Sequence, residues 1–345
     1  MRFGPVPIEE AEGSVAAHGV QAQSAEGTSV ALRKGDSVTA DHVRALARAG
    51  IRSVVVARLD PGDIGENPAA RRLAEAVAGP GLWIERAFTG RANLFAETGG
   101  ILLVDADAVE RINAVDERLT LATLPPFRAV EAGEMVGTVK VIPFALEGEV
   151  LDAAVATFSS PPLRLSPYRS RRIGVVSTLL PGFKSSVVAK TLRVLEDRLA
   201  PTGSTIGEEV RVPHEAEALA EALQRLTASH EMLIVYGASA IADRRDVIPA
   251  AVERAGGTVD HLGMPVDPGN LLMMGRLDGR PVLGAPGCAR SPKENGFDWV
   301  LQRLLADVPV APADIRRLGA GGLLMEIVSR PQPRSGDTPA AEDEA

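Results

Sequence analysis

Residues 231–292 decide how this chain folds. They read EMLIVYGASAIADRRDVIPAAVERAGG over 231–257 and MPVDPGNLLMMGRLDGRPVLGAPGCARSP over 264–292. The apolar run 232–236 has the length of a buried strand. Gly237, Ala238, Ser239 and Ala240 follow, all small. Small residues after a strand let the backbone approach a ligand closely and leave N–H groups for an anion. Asp243, Arg244, Arg245 and Asp246 come next, and Pro249 stands where a first helical turn begins. A strand, a small-residue loop and a helix entrance make a phosphate or carboxylate site in α/β proteins. The same order also describes a plain strand-to-helix connection.

Outward from this stretch, strands and helices alternate. A strand over 172–178 leads through 179–186 to a helix carrying Val188, Leu192, Leu195 and Leu199 on one face. Ser185 and Ser186 are expected to cap it. A strand over 208–212, a helix over 213–227, the strand 232–236, a helix over 247–255 and a strand over 258–262 follow. This alternation predicts an α/β domain: a three-layer, doubly wound, mostly parallel sheet with right-handed crossovers. Ligands bind such sheets beyond the carboxyl ends of the strands, so loops 179–186 and 237–246 should share one edge. Asp267-Pro268-Gly269 is a turn, and Asp278-Gly279 a hairpin signal. The hairpin 271–285 is expected as an excursion from the sheet, leading to Pro286-Gly287-Cys288 and a closing helix over 292–307.

Together these pieces resemble the molybdopterin-binding domain of the molybdenum-cofactor biosynthesis proteins, the MoeA and Mog group, with CinA as a relative. That family has a strand, a Gly-Gly-Thr/Ser loop, an Asp before a helix, a Pro-Gly turn and a closing Leu-Pro-Gly-Asn-Pro turn. The counterparts are Gly237-Ala238-Ser239, Asp246, Pro268-Gly269 and Ala285-Pro286-Gly287-Cys288. The resemblance covers residues 172–307, just under half the chain. It implies molybdopterin as ligand or substrate, with Mg²⁺ and molybdate beside it. The implied binding residues are Lys184, Ser185, Ser186, Gly237, Ala238, Ser239, Pro268, Gly269, Pro286, Gly287, Cys288, Arg290 and Ser291. Asp246 is the implied catalytic acid and metal ligand, with Asp243 second. The implied activity is molybdenum transfer to molybdopterin or adenylylation of it, in a homo-oligomer working with other cofactor-biosynthesis proteins.

The chain departs from the pattern in places. Ala238 replaces the second glycine, Cys288 stands where the family has Asn, and Lys184 where the adenylating branch has acids. After Arg330 too little chain follows for the small C-terminal β domain of the molybdenum-insertion enzyme. These departures keep a second function open, a non-catalytic molybdopterin carrier, and a third, an unrelated nucleotide-binding protein. Structural roles also stand beside the chemical ones: an arginine pair for Asp243, helix capping for Asp246, inert packing for Cys288. Lys184-Ser185 is not a P-loop, because Phe183 separates Gly182 from Lys184.

At 345 residues the chain is long enough for two domains. It is 45% hydrophobic but only 3% aromatic, so its cores are built from Ala, Val and Leu. A net charge of −8 argues against general nucleic-acid binding. The single cysteine excludes an internal disulfide, and the five histidines, at 18, 42, 214, 230 and 261, lack metal-ligand spacing. With no charged-then-apolar leader and no long apolar run, a cytoplasmic protein without membrane contact is expected.

Residues 1–160 read as a mixed α/β domain. An extended arm opens it, Thr39 caps a helix over 41–49, and a strand covers 51–59. Loops are expected over 60–68 and over 89–95, the latter with Arg91 and Asn93 as anion-capable groups. The stretch 32–59 is loosely similar to the opening domain of the molybdenum-insertion proteins, without their Asp-Gly-Tyr/Phe-Ala motif. The prolines at 161, 162 and 167 suggest a linker over 161–171. The second domain then runs over 172–330, with a short strand-like piece over 315–330 that is apolar at 323–328, and an acidic disordered tail over 331–345.

Overall fold

The computed structural model describes residues 1–23 and 29–324. The chain divides into two compact units, Met1–Tyr168 and Arg169–Ala345. Both mix helices with sheets. No helix among the described residues is long and apolar enough to cross a membrane. The expected tail over 331–345, and 325–330 of the strand-like piece, lie outside the described residues.

In the first unit, Arg2–Pro7 pairs antiparallel with Ser53–Arg58. It is an edge strand, the position that tolerates Pro5 and Pro7. Val54 and Val56 turn inward onto Ile8 and Leu46. Leu46 comes from the helix Ala40–Arg48, which Thr39 caps by accepting the His42 N–H. A second core gathers the helices Glu66–Val77 and Gly148–Val155 against a four-stranded antiparallel sheet.

Three expectations for this region need correcting. The helix begins at Glu66, so 66–68 belong to it rather than to a loop; Asn67 Oδ1 there accepts the Gly90 N–H. Residues 91–95 lie in the strand Arg91–Ala96, where Asn93 donates to Glu85 and accepts from Thr138. The Asn93 amide is thus committed to its neighbours in the fold. The linker is in part a strand: Leu163–Pro167 pairs with Gly100–Val104. Leu163 and Leu165 both point into the core, and this period-two burial outweighs the proline content, which an edge strand accommodates.

The second unit is built on one six-stranded sheet. In chain order its elements are β1 Arg172–Leu179, α1 Ser185–Leu199, β2 Thr205–Pro213, α2 Ala216–Thr227, β3 Met232–Tyr236, α3 Val247–Arg254, β4 Thr258–Leu262, β5 Met273–Leu277, β6 Arg280–Ala285 and α4 Gly296–Leu305. The strand order is β2-β1-β3-β6-β5-β4. β1 is parallel to β2 and β3, and β3 is parallel to β6. β5 is antiparallel to both neighbours, so it alone runs against the other five. Helices α2 and α3 pack on one face, against Val176, Leu233, Val235 and Val282. Ile173, Val175, Ile234 and Leu283 are buried on the other face. The chain steps from β1 outward to β2, then back past β1 to β3, so right-handed crossovers put α1 and α2 on opposite faces.

The hairpin is not an excursion. Its second strand, β6, is a central strand of the sheet. Val282, Leu283, Gly284 and Ala285 are all buried, and a segment apolar on both faces has to be covered on both. Nor do Ser185 and Ser186 cap α1: the cap position is Lys184, and no side chain caps the first turn.

Candidate functional site

Five strands end at the same edge, at Leu179, Pro213, Tyr236, Leu262 and Ala285. The connections 180–184, 214–215, 237–246, 263–272 and 286–295 therefore all leave from that edge. Lys184, Ser185, Ser186, Gly237, Ala238, Ser239, Asp246, Pro268, Gly269 and Pro286–Ser291 stand on it together.

The Gly237–Ala238 peptide is held from both sides. Its carbonyl accepts from Arg290 at 2.9 Å, and its N–H donates to Thr178 Oγ1 at 2.9 Å. Thr178 is buried at the end of β1 and lies 2.7 Å from His214 Nδ1. Arg290 also donates to the buried Thr191 on α1 at 2.8 Å, and its guanidinium sits 5.3 Å from the centre of the Tyr236 ring. Burial pushes the Arg290 guanidinium below its ordinary value, which its contact with the ring partly offsets. Two sequence expectations change here. The Ala238 N–H is engaged within the fold, and Arg290 braces the loop.

Gly237 has to be glycine for want of room. A Cβ there would lie 2.7 Å from the Ser239 carbonyl oxygen and 2.9 Å from Ile248 Cδ1. The resulting tight turn exposes Ser239 and Ala240, and among the described contacts their N–H groups have no partner. The first N–H groups of α1, at Ser185 and Ser186, are also exposed and uncapped, beside the exposed Lys184 ammonium. Backbone donors of this kind attract anions, and the helix dipole adds to them.

The two acids bond within their own loop. Asp246 Oδ2 accepts the N–H groups of Ala242 and Asp243 and closes the loop on itself. Asp243 is exposed, pairs with Arg245 at 2.7 Å and accepts the Arg245 N–H at 2.8 Å. The hydrogen bond from Arg245 holds the Asp243 carboxyl below its usual range. Among the described residues no group of three or more His, Cys, Asp or Glu is placed to hold a metal ion. Asp246 thus belongs to no such group, and one of its two carboxylate oxygens is committed to its own loop.

The remaining turns are braced from below. Arg198, on α1, pairs with Asp298 on α4 and donates to the carbonyls of Ala289 at 2.9 Å and Ser291 at 2.6 Å. This fixes the turn that carries Pro286, Gly287 and Cys288. Burial pushes the Cys288 thiol up, so it is protonated at neutral pH and a poor nucleophile. The Pro268 carbonyl accepts the Gly296 N–H at 2.9 Å. Gly269 has φ +142°, and a Cβ there would lie 2.8 Å from that nitrogen, so the turn seats against the entrance of α4.

Sequence inspection missed Thr178, His214, Thr191 and Arg198. The signal for the first two was a polar residue near each strand end, Thr178 one residue before the end of β1 and His214 directly after Pro213. Nothing local marked Thr191 or Arg198, which look like ordinary helix-surface residues.

Residues 5–58 match a family described as a domain of unknown function, DUF8806. A comparison with curated protein sequences finds no match. Among solved structures, the chain is similar to the molybdopterin biosynthesis MoeA protein from Pyrococcus horikoshii, with 14% identity over 89% of this chain and 75% of that one, at a TM-score of 0.30. It is similar to a molybdenum cofactor biosynthesis protein from Pyrococcus furiosus, with 11% identity over 90% of this chain and 65% of that one, at a TM-score of 0.25. A second MoeA structure from Pyrococcus horikoshii OT3 gives 10% identity, 90% and 75% coverage and a TM-score of 0.25.

Proposed function

We propose that the strand-end edge of the second unit binds molybdopterin and that the protein acts in molybdenum-cofactor biosynthesis. The observation that carries this is the set of uncommitted donors on one edge: the Ser239 and Ala240 amides, the uncapped first turn of α1, and Lys184. They suit the terminal phosphate of the ligand. The turn at Pro286-Gly287 stands at the same edge, and the exposed Gly287 N–H, without a partner among the described contacts, can hydrogen-bond the polar pterin. The sequence resemblance over 172–307 supplies the identity of the anion. Any catalysis here would act through positioning and charge neutralisation.

A second function, a molybdopterin carrier without turnover, is favoured by the acids: Asp246 holds its own loop and Asp243 is paired with Arg245. Calorimetry on the full chain with molybdopterin and with ATP tests the first part. Binding of molybdopterin alone is expected; preference for ATP would point to the nucleotide-binding alternative. Cofactor reconstitution with molybdate then separates enzyme from carrier, and an Asp246→Asn protein that binds and turns over like the wild type would remove Asp246 from the mechanism.

A further inference from the structure

Thr178 is 1% exposed, and its hydroxyl already accepts the Ala238 N–H. A buried hydroxyl in that position must still place its own hydrogen. Among the described contacts the acceptor within reach is His214 Nδ1, at 2.7 Å. A neutral imidazole that accepts at Nδ1 carries its hydrogen on Nε2. His214 is half-buried and directly follows the end of β2. With Nδ1 turned to Thr178, Nε2 has no partner among the described contacts and is not among the buried atoms left without one, so it is open to solvent. The ring is two hydrogen bonds away from the loop that carries the Ser239 and Ala240 amides.

We infer that His214 is a ligand-binding residue of this edge: a fixed neutral donor whose Nε2–H binds the same anion as the loop amides, with Thr178 as the positioning residue that sets its tautomer. The inference rests on the proposed anion binding at this edge and deepens it. A neutral donor fixed in one tautomer adds direction where Lys184 adds only charge. The same Thr178 oxygen serves both the ring and the Gly237–Ala238 peptide, so the loop and the imidazole are set by one atom.

The test uses the full chain with ¹⁵N-labelled histidine and molybdopterin as the probe, with inorganic phosphate in parallel. Two-bond ¹H–¹⁵N spectra should show His214 with its hydrogen on Nε2 at neutral pH, a preference that Thr178→Val abolishes. Molybdopterin should shift the Nε2 resonance of His214 while leaving those of His18 and His42 in place. Asn at 214 reproduces the Nδ1 side of the ring and Gln the Nε2 side. His214→Asn should therefore keep the loop but weaken binding by about 10- to 100-fold, the range for a hydrogen bond to a charged group, while His214→Gln, which keeps a donor at the Nε2 position, should lose less than His214→Asn. A hydrogen on Nδ1 in the wild type overturns the inference whatever binds. Molybdopterin binding with His214 unmoved, and His214→Asn at wild-type affinity, overturns it while leaving the pterin proposal standing. A wild-type protein that binds neither molybdopterin nor phosphate overturns both.

Discussion

The two edges of the six-stranded sheet face the same choice and settle it differently. At the edge where the strands begin there is a cleft of about 440 Å³, lined by Arg171, Glu231, Arg280 and Asp307 among others. Its charges are mostly spent on one another and on the backbone. Arg171 pairs with Asp307, Glu231 accepts the Arg172 N–H at 2.7 Å, and Arg280 donates to the His230 carbonyl. At the edge where the strands end, the side chains Arg290, Arg198, Thr178 and Asp246 are spent on the loops, and backbone N–H groups are what is left over. The difference teaches that charged lining alone does not mark a site. A ligand is recognised by groups the fold has not already satisfied, and at the strand-end edge side chains are used up to present amides.

This contrast can be broken by removing the brace. Arg198→Ala leaves the buried Asp298 without its cation and the Ala289 and Ser291 carbonyls without their donor. Removing one partner of a buried pair costs about 3–5 kcal/mol. Denaturant unfolding should show a loss of that size, and a loss below about 1 kcal/mol, the size of an exposed pair, would mean the strand-end turns are not braced from below. Gly237→Ala should come next. Its added methyl has no space against the Ser239 carbonyl, and overpacking of this kind costs about 1–3 kcal/mol. The same substitution should weaken molybdopterin binding more than it weakens the fold, because the amides move with the turn. Equal affinity by calorimetry would separate the loop from the ligand. The smallest effect should come from the other edge. Asp307 is half-exposed and has φ +55°, a conformation Asn accepts, so Asp307→Asn tests charge alone. It should change stability by at most about 1 kcal/mol and leave affinity untouched. A large drop in affinity would move the site to the strand-beginning edge.

Much of this was visible along the chain. The apolar run at 232–236, the helix faces after 185 and 216 and the Asp-Gly turn at 278 each announced an element, because local backbone preference and periodicity determine those. The linker failed because two inward leucines within five residues are too short a pattern to override three prolines by inspection. The hairpin failed in placement rather than in kind. Its turn is local chemistry, but its insertion beside β3 depends on what covers both faces of Val282–Ala285. The candidate site is legible in the sequence as a list of loops, but not which of their groups the fold itself uses. Arg290 donates to the Gly237 carbonyl and the Ala238 N–H donates to Thr178, so both hold the loop.

In the second unit the sequence by itself determined the alternation of strands and helices, and therefore that the small-residue loops would emerge from one edge. Parallel strands joined by right-handed crossovers have no other way to place them. Only the tertiary structure decided which donors on that edge remain free. Arg198 and Asp298 are 100 residues apart, and Thr178 reaches the Ala238 amide across 60. Hydrogen-bond partners at such separations are chosen by packing, and no local pattern records them.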